Sequence, residues 1–176
     1  MLKSLSLFIF ENLKRRKKIK RASLPQDSFY LRKMKEGDLP YILEIENVSF
    51  PNPWHEITFR GEIYNQPISY PFVIIFKPQK KIIGYLVFWQ IKERMQINNI
   101  AIHPDYRRMG IAEAVLHQVL SEVRMGEIKF VTLEVRPSNI AARTLYNKLG
   151  FDVLGIKENY YHDPPEPALV MGKKLT

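Results

Sequence analysis

The chain has 176 residues, 45% of them hydrophobic, and carries a formal net charge of +9. That length suits one domain with some additional chain, and the apolar content suits a sizeable core. It contains no cysteine, which excludes disulfides, cysteine-based zinc sites and a cysteine nucleophile.

The charge is unevenly spread. Residues 1–27 hold eight basic residues (Lys3, Lys14, Arg15, Arg16, Lys17, Lys18, Lys20, Arg21) against Glu11 and Asp27, a net of +6. The remainder holds nineteen basic against sixteen acidic residues, a net of +3. Any strong attraction to a polyanion therefore belongs to the leader. Leu2, Leu5, Ile9 and Leu13 recur at helical spacing, and the basic run Lys14–Arg21 follows them. Its charge lies behind the apolar part, which is the reverse of a secretory signal. Three readings of residues 1–27 stay open: a flexible basic tail, an amphipathic helix lying on a membrane surface, and a contact with RNA phosphates. No apolar run is long enough to span a bilayer.

Phe29-Tyr30-Leu31-Arg32 predicts a first strand. Gly37-Asp38-Leu39-Pro40 predicts a helix start, with Asp38 as N-cap and Pro40 in the first turn, continued by Ile42, Ile45 and Val48. Phe50-Pro51-Asn52-Pro53-Trp54 breaks this helix, and a second one is expected from Glu56 to Tyr64. Phe72–Phe76 and Ile82–Ile91 predict two strands joined by a turn at Pro78-Gln79-Lys80. Met95–Ile102 predicts a fourth strand. The helix expected at Ile111–Arg124 has an apolar face of Ala112, Val115, Leu116, Val119 and Val123. Phe130–Val135 predicts a strand and Asn139–Leu149 a helix, capped by Ser138 or Asn139 and stopped by Gly150. Phe151–Ile156 and Ala168–Lys173 predict two last strands, with Asn159–Pro165 as the connection. The order implies a mixed sheet with helices on its faces.

The stretch Asn98–Ala112 organises the chain: a strand end, a turn, the loop Arg107-Arg108-Met109-Gly110, and the helix start Ile111-Ala112. A helix N-terminus presents unpaired N–H groups and partial positive charge, which favours phosphate. Gly110 lacks a Cβ and lets those N–H groups approach an anion. Arg107 and Arg108 add charge beside them, or are plain surface charge. The pattern points to a diphosphate cradle next to a strand that guides the rest of a long cofactor.

Arg107-Arg108-Met109-Gly110-Ile111-Ala112 resembles the pyrophosphate loop of the GCN5-related N-acetyltransferases (GNAT family): Gln or Arg, two residues, Gly, one residue, Gly or Ala. Leu133-Glu134-Val135-Arg136-Pro137-Ser138-Asn139, Ala141-Ala142, Leu145-Tyr146, Leu149-Gly150-Phe151 and Asn159-Tyr160-Tyr161 are similar to its RimI-like branch, which acetylates the N-terminal alanine of a small-subunit ribosomal protein. The likeness covers residues 28–175 and leaves the leader outside, so the expected domains are 1–27 and 28–176. The spacer Phe50–Trp54 is longer than the Phe-Pro-Trp of that branch. The resemblance implies an α/β (α+β) GNAT fold: a mixed, mostly antiparallel sheet of six to seven strands splayed at the acetyl-CoA site, with about four helices. It also implies acetyl-CoA as co-substrate, no metal, a protein or peptide N-terminus as partner, and a cytoplasmic enzyme.

The resemblance makes Glu134 the general base. A carboxylate inside an apolar strand needs a partner or a function; the structural alternative is an ion pair with Arg136 or Arg143. Tyr146 is the expected general acid, since a phenol near pKa 10 can hydrogen-bond and then protonate a leaving thiolate near 8.5; the alternative is a core tyrosine packed on Leu149. Asn139 either binds the cofactor or caps its helix. Ile100, Ala101 and Ile102 would offer backbone groups to the pantetheine arm as though to an added strand. Arg107, Arg108, Met109, Gly110, Ile111 and Ala112 would hold the diphosphate. Trp54, Tyr160 and Tyr161 either wall the acceptor groove or simply pack. His55, His103, His117 and His162 show no metal-ligand spacing.

The expected reaction is acetylation of a peptide α-amine. An α-amine has a pKa near 8 and lysine one near 10.4, so a lone carboxylate base suits the former better. The alternatives are a lysine or small-amine acetyltransferase, and a non-catalytic acyl-CoA-binding module docked through its basic leader.

Overall fold

A computed structural model describes residues 28–65 and 67–175; the expected basic leader, 1–27, lies outside the described residues. Seven strands form one sheet: β1 (Phe29–Lys33), β2 (Ser69–Phe76), β3 (Lys81–Ile91), β4 (Arg94–Ile102), β5 (Phe130–Val135), β6 (Asp152–His162) and β7 (Pro165–Lys174), in the order β1-β2-β3-β4-β5-β7-β6. Every neighbouring pair is antiparallel except β4 and β5. Among the described residues four α-helices flank it: α1 (Leu39–Asn47), α2 (Glu56–Tyr64), α3 (Ile111–Arg124) and α4 (Ile140–Lys148). This is the splayed mixed sheet with four helices that the sequence led us to expect.

Alternation along the inner strands builds two apolar layers. Phe72 and Ile74 of β2 join Leu86 and Phe88 of β3 against Val115, Leu116 and Val119 of α3. Val73, Ile75, Tyr85 and Val87 point the other way, against Leu39, Ile42 and Ile45 of α1 and Phe59 of α2. Strands buried on both faces need not alternate apolar with polar residues, which is why β2 and β3 read as near-continuous apolar runs. The two central strands lie close together at Gly84, where a Cβ would come within 2.5 Å of the Ala101 carbonyl oxygen of β4.

Two local expectations are corrected. Asp38 stands at the N-cap of α1 but makes no side-chain capping bond. Its carboxylate instead takes a two-pronged pair from Arg32 at 2.8 and 2.9 Å, plus the Lys35 N–H at 2.8 Å. Charge-assisted bidentate bonds outcompete a cap. Most of the stretch expected to connect the last two strands is also strand, with the turn confined to Asp163-Pro164. β6 continues through Asn159, Tyr160 and Tyr161 to His162, and its register shifts between Lys157 and Tyr161, where Asn159 has φ 52°. A bulge absorbs the residues that do not fit the ladder and lets pairing resume. Among the described residues no helix is long and apolar enough to cross a membrane.

Candidate active site

The parallel β4–β5 ladder runs only from Arg94↔Phe130 to Ile97↔Leu133. β4 continues to Ile102, still paired with β3 as far as Gly84↔Ile102, and β5 continues to Val135. The two strands therefore part after Ile97, and β4 over Asn98–Ile102 has its outer edge unpaired by β5. A register shift marks the parting point. Val87 faces Asn99 and Phe88 faces Ile97, so Asn98 is the extra residue of a bulge. Its side-chain NH2 group is buried without a hydrogen-bond partner. Ile100 and Ile102 pack into the α3 layer and Ala101 into the α1 layer, so only their backbone faces the opening.

The loop expected to hold a diphosphate lies at the upper end of β4. A short 3-10 turn, Pro104–Tyr106, leads into Arg107, then Arg108 at φ 61° and Gly110 at φ 72°. Gly110 is the N-cap of α3 and has no side chain to occupy the first-turn N–H groups. Its left-handed backbone is the conformation glycine tolerates best, and it turns the chain into the helix. Met109 and Arg108 are exposed, and Ile111 is buried in the core. The Arg107 guanidinium is turned inward: Nε donates to the Ile102 carbonyl at 2.8 Å and an Nη to Ser49 Oγ at 2.7 Å. Arg107 thus fastens the loop to β4 and to the segment after α1, while both Arg107 and Arg108 remain exposed.

Glu134 lies one residue beyond the last β4–β5 pair. Its neighbours Leu133 and Val135 point into the α3 layer, so Glu134 points to the opposite face. Its carboxylate accepts from Gln96 Nε2 at 3.0 Å and from Lys157 Nζ at 2.7 Å. An ion pair does form, but with Lys157 of β6. Arg136 is drawn instead to the Asp163 and Pro164 carbonyls and to Glu166, and Arg143 donates to the Pro137 carbonyl. Bonding to Glu134 outweighs burial and holds the Lys157 ammonium above its ordinary pKa.

Tyr146 of α4 is on the other face, buried at 6% exposure, its ring 5.9 Å from that of Phe151. Burial, with Tyr161 nearby, raises its phenol far above the ordinary range. Tyr161 is itself pushed up to about 12 by burial, then by Tyr160, with Glu134 contributing. Tyr161 therefore lies within electrostatic reach of both Tyr146 and Glu134. Its ring stands edge-on to Tyr160 at 4.9 Å and has the Arg136 guanidinium 4.0 Å from its centroid. Asn139 caps α4, its side-chain oxygen accepting the Ala142 N–H at 3.1 Å.

On the Glu134 face, Trp54 packs on Phe59 at 5.4 Å, and its backbone N–H donates to Glu46 at 2.8 Å. The loop carrying Trp54 meets the β6–β7 turn where Asn52 Nδ2 donates to the Asp163 carbonyl at 2.7 Å. A cleft of about 480 Å³ on the paired half of the strands is lined by Trp89, Arg94, Gln96 and Thr132 among others, and reaches Glu134 through Gln96. Gln96, Lys157 and Glu46 were missed by sequence reasoning. For Glu46 a signal existed: it follows Ile42 and Ile45 at i+4 and i+1, on the buried stripe of α1. Among the described residues no group of three His, Asp or Glu side chains could hold a metal ion.

The acetyltransferase (GNAT) family profile matches residues 39–151, well over half of the chain. The chain belongs to the GNAT acetyltransferase family. Over 141 residues it is 34% identical to a Bacillus subtilis (strain 168) protein provisionally named a ribosomal protein bS18-alanine N-acetyltransferase, covering 80% of this chain and 92% of that one. It is 30% identical to the ribosomal protein bS18-alanine N-acetyltransferase of Escherichia coli (strain K12), over 79% and 93% of the two chains. The crystal structure of the ribosomal-protein-S18-alanine N-acetyltransferase from Escherichia coli superposes with a TM-score of 0.76 at 29% identity, covering 84% of this chain and 94% of that one. This GNAT protein is an acetyl-CoA-dependent N-acetyltransferase of the RimI-like branch. The parted strands and the glycine-capped α3 fit such a co-substrate: an open strand edge for an amide-bearing arm, and a bare helix tip for a diphosphate.

Proposed function

We propose that this acetyltransferase transfers acetyl to the α-amine of a protein N-terminus, with Glu134 as general base and Tyr146 as general acid. What supports this reading is that Glu134 directly follows the last β4–β5 pair and faces away from the core layer that holds Tyr146, with Tyr161 electrostatically coupled to both. The names of the 30–34% identical relatives, which specify an alanine of ribosomal protein bS18, support the choice of acceptor.

In this mechanism the Met109–Ala112 N–H groups and Arg108 bind the diphosphate of acetyl-CoA, and the edge of Ile100–Ile102 that β5 leaves unpaired holds its amide-bearing arm, beside the Ile102 carbonyl that Arg107 occupies. Asn139 is spent on its cap through the side-chain oxygen, and its amide nitrogen stays available to the same arm. Trp54, Tyr160 and Tyr161 wall the acceptor side. The acceptor α-ammonium takes the place of Lys157 on Glu134, which removes its proton directly or through one water. The free amine attacks the thioester carbonyl, an N–C bond forms and the C–S bond breaks. A backbone N–H near the Asn98 bulge stabilises the oxyanion. The Tyr146 hydroxyl hydrogen-bonds the departing sulfur and gives it a proton, the second proton of the attacking nitrogen returns to the Tyr146 phenolate as the amide forms, and Glu134 gives the first proton to solvent. Because burial holds the Tyr146 proton so firmly, its first contribution is the hydrogen bond; proton transfer comes last.

The test supplies acetyl-CoA with peptides beginning in Ala, Ser or Met, with the same peptides blocked at the α-amine and carrying an internal lysine, and with spermidine. Acetylation confined to unblocked N-termini is expected. Turnover of the lysine or of spermidine alone would overturn the proposal. Free CoA release that stays equal in the native chain, Glu134→Gln and Tyr146→Phe would remove the two catalytic assignments.

A further inference from the structure

One buried carboxylate takes no part in the mechanism above. Glu46 of α1 is 1% exposed, and all its hydrogen-bonding partners are donors. The Trp54 backbone N–H reaches Oε1 at 2.8 Å, the Tyr85 hydroxyl reaches Oε2, and the Asn99 amide nitrogen lies 3.3 and 3.4 Å from the two oxygens. An acceptor-only carboxylate matches an all-donor surround, and such a charge is costly to bury unless it is fully bonded.

The places those donors come from make the site informative. Trp54 ends the loop that walls the acceptor side. Tyr85 sits on β3. Asn99 sits on β4 two residues past its last pair with β5, on the stretch whose outer edge is open. One side chain thus joins the acceptor loop to the free part of the strand along which the thioester lies. We propose that Glu46 is a positioning residue for the acceptor: it fixes the Trp54 loop against β4 so that an incoming amine meets Glu134 at the opening. This rests on the acceptor-side assignment of Trp54 and not on which amine is used.

The chain supplies its own control. Glu62 of α2 is a second buried carboxylate, 7% exposed, which accepts from Ser69 Oγ at 2.5 Å and from Trp89 Nε1 at 2.7 Å. Trp89 pairs with Gln96, where β4 and β5 are still joined. Glu62 therefore holds α2 to the sheet away from the opening.

The experiment compares the native chain, Glu46→Gln, Asn99→Ala and Glu62→Gln. It measures thermal unfolding, and separate KM values for acetyl-CoA and for whichever amine the native chain turns over. The expected result is a KM for the amine raised roughly tenfold in Glu46→Gln, the size of one lost charge-assisted bond. A smaller rise in the same direction is expected in Asn99→Ala. The KM for acetyl-CoA stays within about twofold, and Glu62→Gln loses stability without changing either KM. If Glu46→Gln does not fold, Asn99→Ala carries the test, because it leaves Glu46 with its other two donors. Unchanged amine KM in the folded variants, or equal changes in Glu46→Gln and Glu62→Gln, would overturn the proposal. Turnover of spermidine but no peptide would overturn the peptide reading and leave the Glu46 comparison valid with that amine.

Discussion

The two halves of the β4–β5 pair are built from adjacent residues and do different work. In the joined half, Met95, Ile97, Val131 and Leu133 fill the α3 layer at no more than 3% exposure. Past Ile97 and Leu133, the ladder ends and Asn98, Asn99 and Glu134 follow within two residues. The joined half spends its backbone on the ladder and its side chains on the core. The open half leaves the outer edge of β4 unpaired by β5 and sets polar side chains around it. The proposed site sits where the sheet gives up pairing, because there a ligand can take the strand's hydrogen bonds.

Neighbouring substitutions on β5 should break this comparison in opposite ways. Glu134→Gln should lower kcat/KM by about 10²–10⁴, the usual contribution of a general base, while shifting the unfolding midpoint little. Leu133→Ala, one residue away, should cost about 2–5 kcal/mol in urea unfolding, as a fully buried leucine does, and leave the activity of the folded fraction close to native. A loss of activity in both, or of stability in both, would mean that the two halves are not separable.

Tyr146→Phe should reduce kcat by about tenfold to a hundredfold, less than Glu134→Gln, because a thiolate already leaves readily. In the native chain the raised phenol keeps its proton across the ordinary tyrosine range. The kcat–pH profile should therefore show no fall near pH 10. A fall there that disappears in Tyr146→Phe would contradict the buried, firmly protonated hydroxyl.

The smallest effect is on the pH dependence of stability. Burial raises the pKa of Glu46 against the pull of Tyr85, Trp54 and Asn99. A carboxyl whose folded pKa is raised contributes stability that is present below the ordinary value of 4.5 and is lost as pH rises through the folded pKa. Glu166 is the opposite case. Burial works against it, but Ser138 and Arg136 hold its pKa down, so its contribution is lost as pH falls below the ordinary range. Urea unfolding from pH 4.5 upward should therefore show a decline that is shallower in Glu46→Gln. An identical slope in both chains would contradict the assignment.

Much of this architecture was legible from residues alone. Helices α2 and α3 and strand β5 fall where the sequence placed them, because Pro53, Gly110 and the apolar period mark their ends. Strand β6 was cut short because Asn159 and the Pro164-Pro165 pair look like a turn and its exposed residues show no alternation; the bulge hides the continuing ladder. Strand β2 starts earlier than expected because Pro71 pairs with Val87 of β3 and, at the very end of the β1 side, needs only its carbonyl, which accepts the Met34 N–H at 3.0 Å. Glu134 and Tyr146 stood out through the family resemblance. Their surroundings did not, since Gln96 is 38 residues from Glu134 and Asn99 is 53 from Glu46, and no local pattern announces such pairs.

The most direct test is a crystal structure of this chain with CoA bound. The account predicts the diphosphate on the Met109–Ala112 N–H groups, the amide-bearing arm along the free edge of Ile100–Ile102, and the sulfur within hydrogen-bonding reach of the Tyr146 hydroxyl on one side of the opening, with Glu134 across from it. A diphosphate held elsewhere, or a sulfur remote from both side chains, would contradict it.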